Sequence, residues 1–253
     1  MEEGLVIGTR YFDNRAGSSP DKIIDFAQRS SLMAEKVIIA VNVAEDKSGA
    51  WQALKNLRSE NLIIIGVTPW VKFVQPMNVL LDAAASFNAR YFLSCSVEIK
   101  INQQQLNDLM LHMDSGTLCV GARLPEHEFS GGHLIVEGSG STIPWNTCCI
   151  WNLEKFSLVG FPLAGDAAFS LNRKMAGVEE LTALAVMQKL YGTSGFKAKL
   201  IEIAGIKWET EFADNPDRRV AHLQKIASKR ERPGEQLKRL GLSAPEVQHI
   251  ARQ

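Results

Sequence analysis

The chain has 253 residues, of which 45% are hydrophobic and 22% charged, with 28 basic and 28 acidic side chains. A chain of this size and composition can bury a sizeable core, either as one large α/β domain or as one domain with a tail. The net charge of zero gives no overall argument for nucleic acid or a membrane surface, and no apolar run approaches the roughly 18 residues of a membrane span.

The amino terminus and the cysteines predict a cytoplasmic protein. The chain begins Met-Glu-Glu-Gly, without the basic segment of a signal peptide. Cys95, Cys119, Cys148 and Cys149 lie in apolar stretches without metal-ligand spacing, so we expect reduced, buried thiols. The five histidines are also scattered, which argues against a zinc site.

Predicted strands and helices alternate through the first hundred residues. The apolar runs that predict strands lie at residues 5–7, 36–43, 61–66 and 91–93. The helical patterns between them cover residues 20–35, 50–59 and 76–88. Such a β-α-β repeat predicts a mostly parallel sheet with right-handed crossovers.

The second half of the chain is less regular. Further strands are predicted at residues 117–123, 133–137, 144–151 and 198–203, and helices at 103–113 and 178–191.

From residue 216 onward nine basic side chains stand against four acidic ones. We expect a polar helical extension that Pro233 and Gly234 divide into two helices. The predicted organisation is therefore a domain of residues 1–215 and a basic helical extension of residues 216–253. We expect the basic side chains of this extension to form a solvated helix face. The alternative is that they contact an anionic membrane, a nucleic acid or an acidic partner. The extension contains no motif for a specific nucleic acid.

The strand at residues 91–93 ends in a polar cluster that contains Ser94, Ser96 and Glu98. Open α/β sheets bind their ligands at the carboxyl ends of their strands. We therefore expect a cleft at this point, although serines at a strand end are more often simple loop residues.

The order and spacing of these segments, over roughly residues 4–210, resemble the GT-A-fold glycosyltransferases of the family 2 type. In that family the central strand closes with a metal-binding Asp-x-Asp, and the corresponding residues here are Ser94-Cys95-Ser96. Val159 to Phe161, followed by Glu179 and Glu180 at the start of a helix, resembles the family's acceptor segment and its Glu-Asp motif. The resemblance implies an α/β three-layer fold with a mostly parallel mixed central sheet.

The same resemblance implies a set of binding residues. A nucleotide sugar is expected to contact Thr9, Arg10, Asn42, Asn78, Ser94, Ser96 and Glu98. The acceptor side is expected to include Trp145, Trp151 and Asp166. The indoles of Trp145, Trp151 and Trp208 are more often core or pocket-wall residues, although tryptophan is also a common stacking platform for sugars.

The exchange of Asp-x-Asp for serines bears on the metal. Mg²⁺ and Mn²⁺ are hard cations that prefer carboxylate oxygens, and serine hydroxyls bind them weakly. Glu98 remains as the one nearby carboxylate, so we expect weak metal binding or none. Arg10, Lys72 or Arg123 would then stabilise the leaving group.

The implied function is transfer of a hexose from a nucleotide diphosphate sugar to a hydroxyl of a saccharide or another acceptor. Glu180 or Glu179 would be the general base. Adjacent helical residues point about 100° apart, so we expect only one of them in the cleft and favour Glu180. Glutamates in a first helical turn also simply complement the helix dipole.

Two alternative functions differ in their support from the sequence. The missing Asp-x-Asp supports a catalytically inactive relative that binds a nucleotide or sugar, or serves as a scaffold for a partner. A Rossmann-like oxidoreductase is disfavoured because no G-x-G-x-x-G follows the first strand.

Overall fold

The computed structural model describes residues 4–12, 19–166, 178–209 and 216–252. The predicted alternation of strands and helices is confirmed for the first hundred residues. It comprises β1 (Leu5–Tyr11), α1 (Asp21–Ser31), β2 (Lys36–Asn42), α2 (Ala50–Lys55), β3 (Leu62–Val67), α3 (Val74–Ser86), β4 (Tyr91–Cys95) and the short β5 (Ile99–Lys100).

The remaining elements include the strands and helices that the sequence predicted between residues 103 and 203, with shifted ends. They are α4 (Gln103–Met110), β6 (Thr117–Ala122), β7 (Leu134–Val136), β8 (Cys148–Asn152), α5 (Leu153–Phe156), α6 (Glu179–Tyr191), β9 (Lys197–Ile201), β10 (Lys207–Trp208), α7 (Pro216–Leu240) and β11 (Glu246–Ile250).

Nine strands form one sheet in the order β3-β2-β1-β4-β8-β6-β9-β11-β7. The strands β3, β2, β1 and β4 run parallel to one another, and so do β6, β9 and β11. Between these two blocks β8 runs antiparallel to both of its neighbours, and β7 is antiparallel to β11 at the far edge. The predicted mostly parallel mixed sheet is therefore confirmed.

The core lies on both faces of the parallel strands. Every residue of β2 from Val37 to Asn42 is buried, because helices including α1 and α3 pack against this strand. Burial of successive residues is typical of a parallel strand covered on both sides. At the opposite edge of the sheet β7 is uncovered, and Leu134 and Val136 are more than half exposed.

The chain beyond residue 215 differs from the expected extension. It contains one helix, α7, with Pro233 inside it, and its last strand, β11, pairs with β9 and β7 in the central sheet. The expected division of the extension into two helices at Pro233 is thus wrong. The expectation that the extension is entirely helical is also wrong, because it ends in β11. Val247 is a buried residue of β11, so this strand contributes to the core. The expected boundary at residue 215 lies outside the described residues.

Two glycines allow α7 to approach the rest of the molecule closely. A Cβ atom at Gly140 would lie 2.7 Å from the carbonyl oxygen of Lys229, and one at Gly138 would lie 3.2 Å from the Cα atom of Gly234. The amide of Gly140 donates to that Lys229 carbonyl at 2.8 Å. In the described part of the chain no helix is both long enough and apolar enough to cross a membrane.

Candidate active site

A narrow cavity of about 180 Å³ lies at the carboxyl ends of β1 and β4, which we call the inner cavity. Five of the seven residues predicted to bind a nucleotide sugar line it, namely Thr9, Arg10, Ser94, Ser96 and Glu98. It is closed by the first turn of α6, by Trp208 of β10 and by Lys229 of α7. The cleft expected at the end of the 91–93 strand is present.

A larger space of about 700 Å³ adjoins the inner cavity, and we call it the outer pocket. Its walls include Phe12 after β1, Glu45 after β2 and the segment 70–73 before α3. Arg10 and Phe73 line both spaces, so the two lie side by side.

Arg10 is held at this junction by three contacts. Its Nη1 donates to the carbonyl oxygen of Phe73 at 3.2 Å, and its guanidinium carbon lies 4.5 Å from the centre of the Phe73 ring. The same Nη1 lies 3.5 Å from Oε1 of Glu179. A cation is therefore fixed where the outer pocket meets the inner cavity.

Glu179 and Glu180 are the first two residues of α6, where acidic side chains complement the helix dipole. Both line the inner cavity. The expectation that only one would face the cleft is wrong, because the cavity lies at the amino end of the helix and not along one side of it.

The two carboxylates have different surroundings. Glu180 Oε1 accepts a hydrogen bond from the backbone amide of Asn146 at 2.9 Å. Glu179 is 3% exposed, and its Oε2 has no hydrogen-bond partner within the described residues. Burial and, to a smaller extent, the negative charge of Glu180 raise the pKa of Glu179 to about 7, against the opposing charge of Arg10. Glu179 can therefore take up and release a proton near neutral pH.

The polar cluster after β4 is occupied by contacts within the chain. Ser94 Oγ donates to the carbonyl oxygen of Asn146 at 2.7 Å, and Ser96 Oγ accepts from the backbone amide of Glu98 at 3.4 Å. Glu98 Oε2 accepts from Trp208 Nε1 at 3.2 Å. Across the described ranges no cluster of three or more histidine, cysteine or acidic side chains could hold a metal ion. Two hydroxyls and one carboxylate make a poor ligand set for Mg²⁺ or Mn²⁺, so these residues do not fit the metal that the fold family implies.

Two predicted donor-binding residues lie outside the walls described for both spaces. Asn78 binds the backbone of Phe161 with both atoms of its amide, each at 2.9 Å, and so ties α3 to the turn at Gly160. Asn42 ends β2, is 2% exposed, and has no hydrogen-bond partner for either amide atom in the described structure.

The structure places the predicted acceptor-side tryptophans in the core. Trp145 stacks on His127 with ring centres 3.9 Å apart, and Trp151 packs against Phe156 with ring centres 4.3 Å apart. Both indoles are almost completely buried and neither lines the inner cavity or the outer pocket. The indole that reaches the inner cavity is that of Trp208.

Asp166 lines the outer pocket and is not among the residues that line the inner cavity. Its carboxylate accepts from the backbone amides of Phe73 and Val74 at 2.7–3.0 Å and so caps the amino end of α3. Burial raises the pKa of Asp166, and these two amides oppose the rise. The residue therefore fixes the segment that carries Phe73.

The cations expected to replace the metal are divided by the fold. Lys72 lines the outer pocket, whereas Arg123 pairs with Glu202 at another surface. Lys229, which the sequence placed on a solvated helix face, reaches the inner cavity instead. No local sequence signal marks Lys229, because its position depends on how α7 packs against residues that are distant in the chain.

No protein-family model and no curated protein sequence matches the chain. Solved structures do resemble it. The mannosyltransferase PcManGT of Pyrobaculum calidifontis, in complex with GDP-Man and Mn²⁺, superposes with a TM-score of 0.55 at 11% identity over 92% of this chain and 69% of that chain. TarS 1-349 of S. aureus gives 0.51 at 13% identity, over 89% and 64% of the two chains.

Mannosyl-3-phosphoglycerate synthase from Rubrobacter xylanophilus superposes with a TM-score of 0.50 at 11% identity, over 94% of this chain and 75% of that chain. These three similarities, together with the sheet order and the cleft, show that the chain has the fold of the GT-A glycosyltransferases. The chain spans slightly less than two thirds of TarS 1-349. At these identities the comparison establishes the fold alone.

Proposed function

We propose that the protein is a glycosyltransferase that moves a hexose from a nucleotide diphosphate sugar to a hydroxyl acceptor. The observation that carries the proposal is the inner cavity, which Glu179 and Glu180 line together with Arg10, next to a pocket of about 700 Å³ that shares Arg10. Small-molecule sites commonly have volumes of roughly 300–1,000 Å³. The outer pocket therefore has the size for a nucleoside, and the inner cavity has the carboxylates for the chemistry.

The donor would lie across the junction of the two spaces. Its nucleoside would occupy the outer pocket near Trp70, whose indole offers a face for a base. Its diphosphate would meet Lys72 and Arg10, since basic side chains bind phosphate oxygens through charge-assisted hydrogen bonds. The hexose would then enter the inner cavity beside Trp208 and the two glutamates.

In the transfer step the acceptor hydroxyl gives its proton to a carboxylate while its oxygen attacks the anomeric carbon. The bond from that carbon to the diphosphate oxygen breaks, and its electron pair leaves with the diphosphate. We assign the proton acceptor to Glu179, because a general base works best with a pKa near the working pH. Glu180, bound to the Asn146 amide, would hold the loop before β8 and raise the basicity of Glu179. This assignment reverses the preference for Glu180 drawn from the sequence.

The test is a panel of nucleotide diphosphate sugars with simple saccharide acceptors, scored for transfer and for donor affinity. Glu179→Gln should lower the transfer rate by about 10²- to 10⁴-fold and leave donor affinity within a few-fold. Glu209→Gln is the matched control, because Glu209 is half-exposed and pairs with Lys100 outside the cavity. If Glu180→Gln abolishes transfer while Glu179→Gln retains it, Glu180 is the base.

A second candidate function is binding of a nucleotide or sugar without transfer. The engaged hydroxyl of Ser94 and the poor metal ligand set favour it. A wild-type protein that binds a donor specifically, and neither hydrolyses nor transfers it with any acceptor, would support this function against the first.

A further inference from the structure

Positive charge converges on the inner cavity from two distant parts of the chain. Arg10 comes from β1, and Lys229 comes from α7. Both act on the same carboxyl group, since Arg10 Nη1 lies 3.5 Å from Glu179 Oε1 and the charge of Lys229 lowers the pKa of Glu179. Two cations therefore line the cavity and act on the same carboxyl group.

The position of Lys229 is fixed by its surroundings. Its ammonium group lies 3.7 Å from the centre of the buried Trp145 ring. Its carbonyl oxygen accepts from the amide of Gly140, and the absence of a Cβ atom there allows the contact. Seven residues further along α7, Gln236 donates to the carbonyl oxygen of Ala164. The helix thus holds Lys229 in a defined place, which is what a preorganised charge requires.

Three carboxylates, those of Glu98, Glu179 and Glu180, line the same cavity as these cations. Glu98 accepts from Trp208, and Glu180 accepts from the Asn146 amide. Glu179 is partly protonated near neutral pH because burial raises its pKa to about 7. Among the described residues no group of three or more histidine, cysteine or acidic side chains could hold a metal ion, and two cations share the cavity with the carboxylates.

We infer that Lys229 and Arg10 form an anion site for the diphosphate of the donor, and that this site takes the place of a divalent metal ion. The identity of the anion as a donor diphosphate rests on the proposed function. When the bond from the anomeric carbon to the diphosphate oxygen breaks, the electron pair remains on that oxygen. The added negative charge then faces a guanidinium and an ammonium group, which are the usual phosphate-binding side chains. The C-terminal helix is thereby part of the active site.

The test uses inorganic pyrophosphate with EDTA present, measured by titration calorimetry on the chain of 253 residues. Wild-type protein should bind pyrophosphate without any divalent ion. Lys229→Met, which keeps an unbranched apolar stem over Trp145, should weaken binding by about 10- to 100-fold. Lys229→Arg should restore most of the affinity. Lys238→Met is the matched control because Lys238 is exposed on the same helix, and its affinity should equal that of wild type.

Three results would overturn the inference. The first is pyrophosphate binding that appears only when Mn²⁺ is added. The second is an unchanged affinity in Lys229→Met, and the third is an equal loss in Lys238→Met. If Lys229→Met does not fold, Lys229→Gln replaces it in the same measurement. A weakened pyrophosphate affinity in Lys229→Gln and a largely retained affinity in Lys229→Arg would then support the inference, and an unchanged affinity in Lys229→Gln would overturn it. Failure of the proposed function gives a different pattern, in which Lys229-dependent pyrophosphate binding persists while no nucleotide sugar is transferred.

Discussion

The outer pocket and the inner cavity meet at Arg10 and Phe73, but they are built in different ways. Most of the outer pocket comes from loops that follow β1, β2 and β3 within the first 73 residues. The inner cavity combines segments from residue 9 to residue 229. The first space follows from a local repeat of strands and helices, whereas the second exists only when distant segments pack together.

This difference predicts how the two spaces respond to change. Disturbing the carboxyl-terminal part of the chain should affect the inner cavity and the sheet, because α7 and β11 contribute to both. Disturbing the strand-end loops should affect mainly the outer pocket. The four predictions that follow test this contrast, from the largest expected effect to the smallest.

Ending the chain at residue 215 should have the largest effect. It removes β11 from between β9 and β7 and removes α7, which carries the buried Leu237 and Gln236. We expect the melting temperature to fall by at least about 10 °C, or cooperative unfolding to be lost. A chain ending at residue 250 is the control, and calorimetry is the measurement. A 1–215 chain that melts like wild type would establish residue 215 as a folding boundary.

Asp166→Ala should destabilise the wall of the outer pocket. It leaves the amides of Phe73 and Val74 without their acceptor, which should lower the free energy of unfolding by about 1–3 kcal/mol in urea denaturation. Asp166→Asn keeps an acceptor and should cost less. Asp82→Ala is the matched control on an exposed position of α3. An equal loss in both alanine variants would contradict the capping role.

Glu179 should make the stability of the protein pH-dependent in a defined direction. Its folded-state pKa is raised from 4.5 to about 7, so the folded state binds the proton more tightly than the unfolded state. Its contribution is therefore fully present below pH 4.5 and is lost as the pH rises to about 7. As the pH rises from 4.5 to 8, the free energy of unfolding of Glu179→Gln should increase relative to that of wild type by on the order of 1–3 kcal/mol. Urea denaturation at a series of pH values measures this difference. A stability difference that stays constant with pH would contradict the raised pKa.

The two serines should respond differently to replacement by aspartate. Ser96→Asp would place a second carboxylate beside Glu98, and we expect Mn²⁺ affinity, measured by calorimetry, to rise by a few-fold to about tenfold. Ser94→Asp would place a carboxylate against the carbonyl oxygen of Asn146 and should instead destabilise the fold. Ser86→Asp, at an exposed position at the carboxyl end of α3, controls for added charge. Tight Mn²⁺ binding by wild type would contradict the charge argument.

The amino-acid sequence by itself determined the class of the fold and the position of the cleft at the carboxyl ends of the strands. Apolar runs such as residues 36–43 and the helical repeats between them are local patterns, and parallel strands joined by helices place their carboxyl ends at one edge. For this reason the sequence alone was enough to predict that Ser94, Ser96 and Glu98 lie at a cleft, whereas Arg10 was expected there through the family resemblance. The first-turn glutamates of α6 could be expected there only through the family resemblance.

Only the tertiary structure decided what the remaining polar and aromatic residues do. Asp166 caps a helix that begins 92 residues earlier, Trp145 and Trp151 are core residues, and Lys229 reaches the cavity from a helix expected in solvent. The strand β11 was not predicted from the sequence. The alternating burial of its residues 246–250 arises from pairing with β9 and β7 on either side. Each of these outcomes depends on contacts between segments far apart in the chain, which local periodicity does not contain.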